Sequence, residues 1–319
     1  MILSPEVLTI FILNILFFIF GTIAFFLSVK IYLGWDNESV EQSQYKLEKQ
    51  SFLTATIIKY IFAIKVPLFL FFIFTLDKIS NVLVGAMCGA GVVDATPYGI
   101  YLFILKIINL YLFAYWLVLH NEDMKNEKLP FTKMKFGFYS IVYFLFIAEL
   151  VIEGLMFSSI DIDKMVSCCG TIYSSSSTSY ISTIFSLDST ILLVLFYGTF
   201  SLIILFYKLK FRYIYAILNI LFIIISLITL IAFFGTYIYE LPTHYCPFCF
   251  LQKDYYYVGY ILYTTLFLGT FYGIVIGFID KSKLEIEKSF KKSLIFNLLY
   301  VLIVTVYPVI YFLKNGVWL

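Results

Sequence analysis

The chain has 319 residues, of which 62% are hydrophobic and 21% aromatic, while only 13% carry charge. A water-soluble domain cannot cover that much apolar surface, so the composition excludes a soluble enzyme and predicts an all-α polytopic membrane protein. The net charge of +2 is less informative than where the charges fall along the loops.

Hydropathy predicts about eight transmembrane helices, near residues 7–33, 52–76, 99–119, 136–157, 187–207, 213–236, 257–279 and 294–313. Each must be helical, because backbone polar groups in lipid need partners within their own segment. No Pro/Gly/Ser-rich linker interrupts the series, so residues 1–319 are expected to form a single integral membrane helix-bundle domain. No basic residue precedes the first apolar run and no small-residue cleavage site follows it, so this run is expected to be a retained span. The polar stretch from Trp35 to Ser51 predicts an interfacial helix before the second span.

Within the second span, Lys65 falls near mid-membrane beside Pro67, lining a cavity or stabilising a kink. Lys59 is close enough to the inner face to snorkel. The second loop carries Cys88 between glycines that permit tight turns, and Pro97 is expected to start the third helix. Lys106 follows about seven residues below the outer end of the third span. Glu149 and Glu153 in the fourth span are spaced i and i+4, so they share a helix face. Antiparallel neighbours would pair Lys106 with Glu149, either to carry protons or hold a polar head group, or to fasten two helices. The long fourth loop holds Asp161, Asp163, the adjacent pair Cys168 and Cys169, and a serine run from Ser174 to Ser177. Gly269, Gly273 and Gly277 in the seventh span form a small-xxx-small stripe that predicts close helix packing.

Basic residues set the expected orientation. Lys30, Lys46 and Lys49 flank the first loop; Lys125, Lys128, Lys133 and Lys135 lie in the third; Lys208, Lys210 and Arg212 lie in the fifth. Lys281, Lys283, Lys288, Lys291 and Lys292 lie in the seventh. The positive-inside rule then places these loops in the cytoplasm and both termini outside. On that assignment Cys88, Cys168, Cys169, Cys246, Cys249 and His244 all share the outer face, where disulfides persist, and His120 lies on the inner one.

The most chemistry-rich stretch runs from Thr243 to Lys253 and contains His244 and Cys246-Pro247-Phe248-Cys249. A Cys-x-x-Cys at a helix start sets two thiols about one turn apart, and the helix N-terminus favours thiolate. That arrangement suits reversible dithiol–disulfide chemistry; a bracing disulfide or half of a metal site are the alternatives. Cys168 and Cys169 either close a strained, reducible ring, relay electrons, or clamp a loop.

From Cys246 to Lys253 the sequence resembles the DsbB and vitamin K epoxide reductase families, quinone-linked membrane thiol oxidoreductases. The resemblance implies that Cys246 or Cys249 is the quinone-proximal thiol, that Cys168 and Cys169 exchange with a client, and that Lys253 sits near the quinone. It rests on about ten residues and a coarse span order. Those families have fewer spans, separated loop cysteines and no counterpart of Cys88.

The leading expectation is therefore a membrane thiol:disulfide oxidoreductase or electron-transfer protein in a bacterial inner (plasma) membrane. Its thiols would be Cys246, Cys249, Cys168, Cys169 and Cys88, and Lys253, Lys106 and Glu149 would contact a quinone. The expected partners are an extracytoplasmic thiol protein or redox partner and membrane lipids, with no nucleic acid. A second expectation has His244, Cys246, Cys249, Cys168, Cys169 and Cys88 binding copper, zinc or a haem-type centre. A third is a transporter or accessory subunit whose disulfides only brace outer loops, with Lys65, Lys106, Glu149 and Glu153 marking its pathway.

Overall fold

In the computed structural model the described residues are 4–36, 42–126, 129–162, 165–166, 188–279 and 283–319, with side chains of the last stretch from 286. Cys168, Cys169, Asp163 and the serine run lie outside them. The helices are α1 (Pro5–Gly34), α2 (Gln42–Ser80), α3 (Gly89–Asp94), α4 (Gly99–Met124), α5 (Thr132–Ser159), α6 (Ser189–Leu209), α7 (Arg212–Thr229), α8 (Gly235–Tyr239), α9 (Val258–Phe278) and α10 (Lys283–Asn315). A π-helical turn, Leu230–Phe234, joins α7 to α8. Among the described residues there is no strand, and eight helical segments are long and apolar enough to cross a membrane. The chain is an all-α polytopic membrane protein.

Local sequence sets several boundaries. Ser4 caps α1, its hydroxyl accepting from the Val7 N–H at 3.4 Å, with Pro5 occupying the first helical position. Asp188 caps α6 by accepting from the Thr190 N–H at 2.7 Å. The expected interfacial helix is not a separate element. From Gln42 onward the polar stretch forms the first turns of α2, because no Gly or Pro interrupts the chain before Pro67. At 1.5 Å per residue, the 39 residues of α2 extend roughly 58 Å, about twice a bilayer core.

The chain divides into two compact units: Met1–Val84 with Val92–Val166, and Gly85–Gly91 with Ser167–Leu319. In the first, α1 packs on α2 and α5, and α4 packs on the same two helices, closing a four-helix ring. Its core is aromatic: Phe62 stacks on Phe113 with centroids 4.2 Å apart and meets Trp116 edge-on at 5.6 Å. Lipid tails are as apolar as these rings, so close packing and polar contacts, rather than exclusion of water, hold such helices together. At the α4–α5 turn the buried Asp123 carboxylate accepts from the Phe131 N–H (2.7 Å), the Thr132 hydroxyl (2.8 Å) and Lys135 Nζ (2.5 Å).

In the second unit α9 lies between α7 and α10, and α6 packs on α7 and α10. The glycine stripe explains how close α9 comes. A Cβ at Gly269 would stand 2.2 Å from Asn297 Oδ1 of α10, and one at Gly273 would stand 2.2 Å from Asn219 Cγ of α7. At Gly277 it would stand 2.6 Å from the Ala216 Cβ. Asn297 Nδ2 donates to Asn219 Oδ1 at 2.9 Å, and Ser293 Oγ donates to the Gly269 carbonyl at 2.7 Å, so all three helices are tied by hydrogen bonds. The packing expected of this stripe is present.

Candidate thiol centre

Cys88, Cys246 and Cys249 converge within the second unit. Their three Sγ atoms lie within 4.8 Å of one another, and all three side chains are buried. Cys88 Sγ and Cys246 Sγ are 3.3 Å apart, a contact beyond the roughly 2.05 Å of a covalent disulfide. Exposure is 0% for Cys88 and Cys246 and 7% for Cys249.

The loop holding the Cys-x-x-Cys pair differs from the sequence expectation. The thiols were expected to open a long helix, but Cys249 starts a single 3-10 turn, Cys249–Leu251, and α9 begins only at Val258. The N-terminus of α9 is therefore separated from Cys249 by the eight residues Phe250 to Tyr257 and does not cap the pair. Within the loop the Phe248 N–H donates to Cys246 Sγ at 3.4 Å. Such a hydrogen bond favours electron-rich sulfur, as in a thiolate or metal-bound form.

Neighbouring side chains fix this loop. The Tyr239 hydroxyl donates to the Cys246 carbonyl, and the Tyr263 hydroxyl to the Pro247 carbonyl at 2.7 Å. The Tyr239 ring lies parallel to Phe250 (centroids 4.7 Å apart, 3°), with His244 edge-on at 4.5 Å and Tyr255 edge-on at 4.7 Å. Gln252 Nε2 donates to the Met87 carbonyl at 3.2 Å, pinning the Cys88 segment beside the Cys-x-x-Cys loop. Two glycines allow the approach. A Cβ at Gly259 would meet Phe250 Cβ at 2.8 Å, and one at Gly235 would meet the Phe250 ring at 3.2 Å.

His244 is half-buried; its Nε2 is buried and has no hydrogen-bond partner among the described residues. Burial pushes its imidazole pKa down, and Cys88 opposes that shift. Burial likewise raises the Tyr255 phenol, with Cys249 adding to the shift. Lys253, expected near a quinone, stands in the turn Lys253–Tyr255 with an exposed side chain.

A second constellation lies within the spans of the first unit. Lys106 Nζ contacts Glu149 Oε1 and Glu153 Oε1, each at 2.9 Å, so the expected Lys106–Glu149 pair is present. Lys65 Nζ donates to the same Glu149 oxygen at 3.0 Å and to Asn14 Oδ1 at 3.3 Å. Asn109 Nδ2 donates to Glu149 Oε2 at 2.6 Å, and Asn14 Nδ2 to Glu153 Oε2 at 2.8 Å. Every helix of the ring thus contributes a partner. Sequence reasoning passed over Asn14 and Asn109, although an amide inside an apolar helix was the available signal.

No family model, no curated protein and no solved structure matches this chain.

Proposed function

We propose that Cys88, Cys246 and Cys249 form a thiolate site for one soft metal ion, Cu(I) or Zn(II), in a membrane protein that captures or holds it. The observation carrying this reading is the convergence of three buried sulfurs, from segments 158 residues apart, within 4.8 Å. Metal–sulfur bonds of about 2.3 Å place sulfurs on one ion at most about 4.6 Å apart, so small side-chain adjustments bring all three into range. Soft thiolates select Cu(I) and Zn(II), and burial admits a bare ion while excluding a folded client protein. Three sulfurs suffice for Cu(I); a tetrahedral Zn(II) site needs a fourth ligand, and His244 stands outside the group whose ligand atoms lie within 4.8 Å of one another, so the three-sulfur arrangement fits Cu(I) better.

The test is metal analysis of protein purified anaerobically after growth with copper or zinc. About one ion per chain is expected, falling to background in Cys88→Ser, Cys246→Ser and Cys249→Ser variants that still elute as folded protein. Metal-free native protein in which mass spectrometry finds a Cys88–Cys246 disulfide would reject the reading.

That same 3.3 Å contact favours a second reading, the quinone-linked thiol oxidoreductase. Joining the two sulfurs needs a closure of about 1.2 Å. It would remove two electrons and two protons, which a quinone accepts to become a quinol. Cys249 is placed to attack Cys246 of the new disulfide, moving it to Cys246–Cys249 and releasing the Cys88 thiolate, after which two equivalents of an external thiol would reduce it through a mixed disulfide. In this reading the extracytoplasmic thiol donor would be a small molecule rather than a protein. Quinol production dependent on Cys88 and Cys246 in metal-free protein would favour it over the metal site.

A further inference from the structure

We propose that the Lys65–Lys106 cluster of the first unit is a binding site for the carbonyl oxygen of a neutral, bilayer-soluble molecule of the quinone class. This inference is independent of the thiol centre and stands or falls without it.

A hollow lies between α2 and α4, walled by Leu68, Phe69, Leu110 and Phe113. Lys65, Lys106 and Glu149 reach it from inside the ring. About 10 Å³ is open to the centre of a water-sized atom, room for about one oxygen. Leu68, Phe69 and Leu110 are only half-buried, so the hollow sits at the surface of the helix ring, within the apolar stretches of α2 and α4.

The donor count creates the demand. Each lysine ammonium carries three N–H groups. Lys65 donates to Glu149 and Asn14; Lys106 donates to Glu149 and forms an ion pair with Glu153 at 2.9 Å. Beyond these contacts the ammonium groups lie over aromatic rings, Lys106 over Phe72 at 4.5 Å to the centroid and Lys65 over Phe146 at 5.4 Å, and a ring face is a weaker acceptor than a carbonyl oxygen placed in the hollow. Both ammonium groups sit on the same Glu149 oxygen, at 3.0 and 2.9 Å. Their nitrogens are therefore no more than about 5.9 Å apart, close enough for one acceptor oxygen to take a hydrogen bond from each.

Charge selects the class of acceptor. Two ammonium and two carboxylate groups already balance, so a carboxylate or phosphate head would leave a net negative charge in the bilayer. A carbonyl keeps the site neutral, and the aromatic and aliphatic wall suits a flat ring behind it.

The experiment uses the full chain in nanodiscs and a photoreactive azidoquinone, followed by peptide mapping. Labelling is expected on the α2 and α4 segments around Leu68–Phe69 and Leu110–Phe113, displaced by a short-chain quinone and not by laurate. Lys106→Met should weaken that displacement about tenfold or more, the loss for one charge-assisted hydrogen bond. Because Lys106→Met also disturbs the ion pairs, Leu110→Trp serves as the second variant. It fills the hollow while leaving every charge in place, and should abolish labelling in protein that elutes as native. Labelling elsewhere, displacement by laurate alone, or unchanged labelling in folded Leu110→Trp protein would overturn the proposal.

Discussion

Replacing Lys106 by methionine tests whether the intramembrane cluster holds the first unit together. The change keeps the length of the side chain and removes one charge with two contacts, to Glu149 and Glu153, each at 2.9 Å. At an effective dielectric near 20 each contact is worth roughly 5 to 6 kcal/mol of Coulomb energy, and the several kcal/mol needed to desolvate the ammonium offset much of that. Glu149 keeps Lys65 and Asn109, whereas Glu153 is left with the Asn14 amide alone. Cutting one partner from a buried pair costs about 3–5 kcal/mol, mainly through the charge left behind. Thermal unfolding of the purified chain, followed by fluorescence-detected size exclusion, should show a melting point several degrees lower. The double variant Lys106→Met/Glu153→Gln should recover part of the loss, because it removes the stranded carboxylate as well. A single variant as stable as the native chain, or a double variant no better than the single, would refute the reasoning.

Three further outcomes follow from other contacts. Gly273→Leu should force α9 from α7, because even a Cβ would overlap Asn219; a loss of about 3 kcal/mol or complete misfolding is expected in the same unfolding assay. Gly259→Ala should push against the Phe250 backbone and shift the Cys249 turn, so bound metal should fall while the helical circular dichroism is retained. If the thiol centre holds metal, adding a membrane-permeant chelator should lower the melting point of the native chain but not that of Cys246→Ser, since only the former loses a stabilising ligand.

Hydropathy made the eight spans readable because a bilayer demands long apolar helices, and the helix limits lay within a few residues at several ends. The exceptions were α2 and α10, whose polar first turns carry no apolar signal and belong to helices that continue into the spans. The Lys106–Glu149 pair was legible because i, i+4 spacing fixes which carboxylates share a face, and antiparallel order sets their depth. That Lys65 joins the same carboxylate, with Asn14 and Asn109, was not legible, because it depends on the rotation of each helix about its own axis. For the thiols, loop order brought Cys88 and the Cys-x-x-Cys pair to one end of the fold. The eight residues from Phe250 to Tyr257 separate Cys249 from α9, so the pair does not open the span as its aromatic flank suggested.

The wiring of the first unit also bears on how the chain enters the membrane. Lys65 and Lys106 belong to α2 and α4, whereas both carboxylates that neutralise them arrive with α5. During synthesis from the N-terminus, each lysine-bearing segment must be inserted before its counter-ion exists, at about 2.5–3.5 kcal/mol per charge on the insertion scale. The strongly apolar residues on either side of each lysine outweigh that penalty. Emergence of α5 is then the moment at which the four segments lock, and a nascent chain halted before Glu149 will lack the bond that closes the ring.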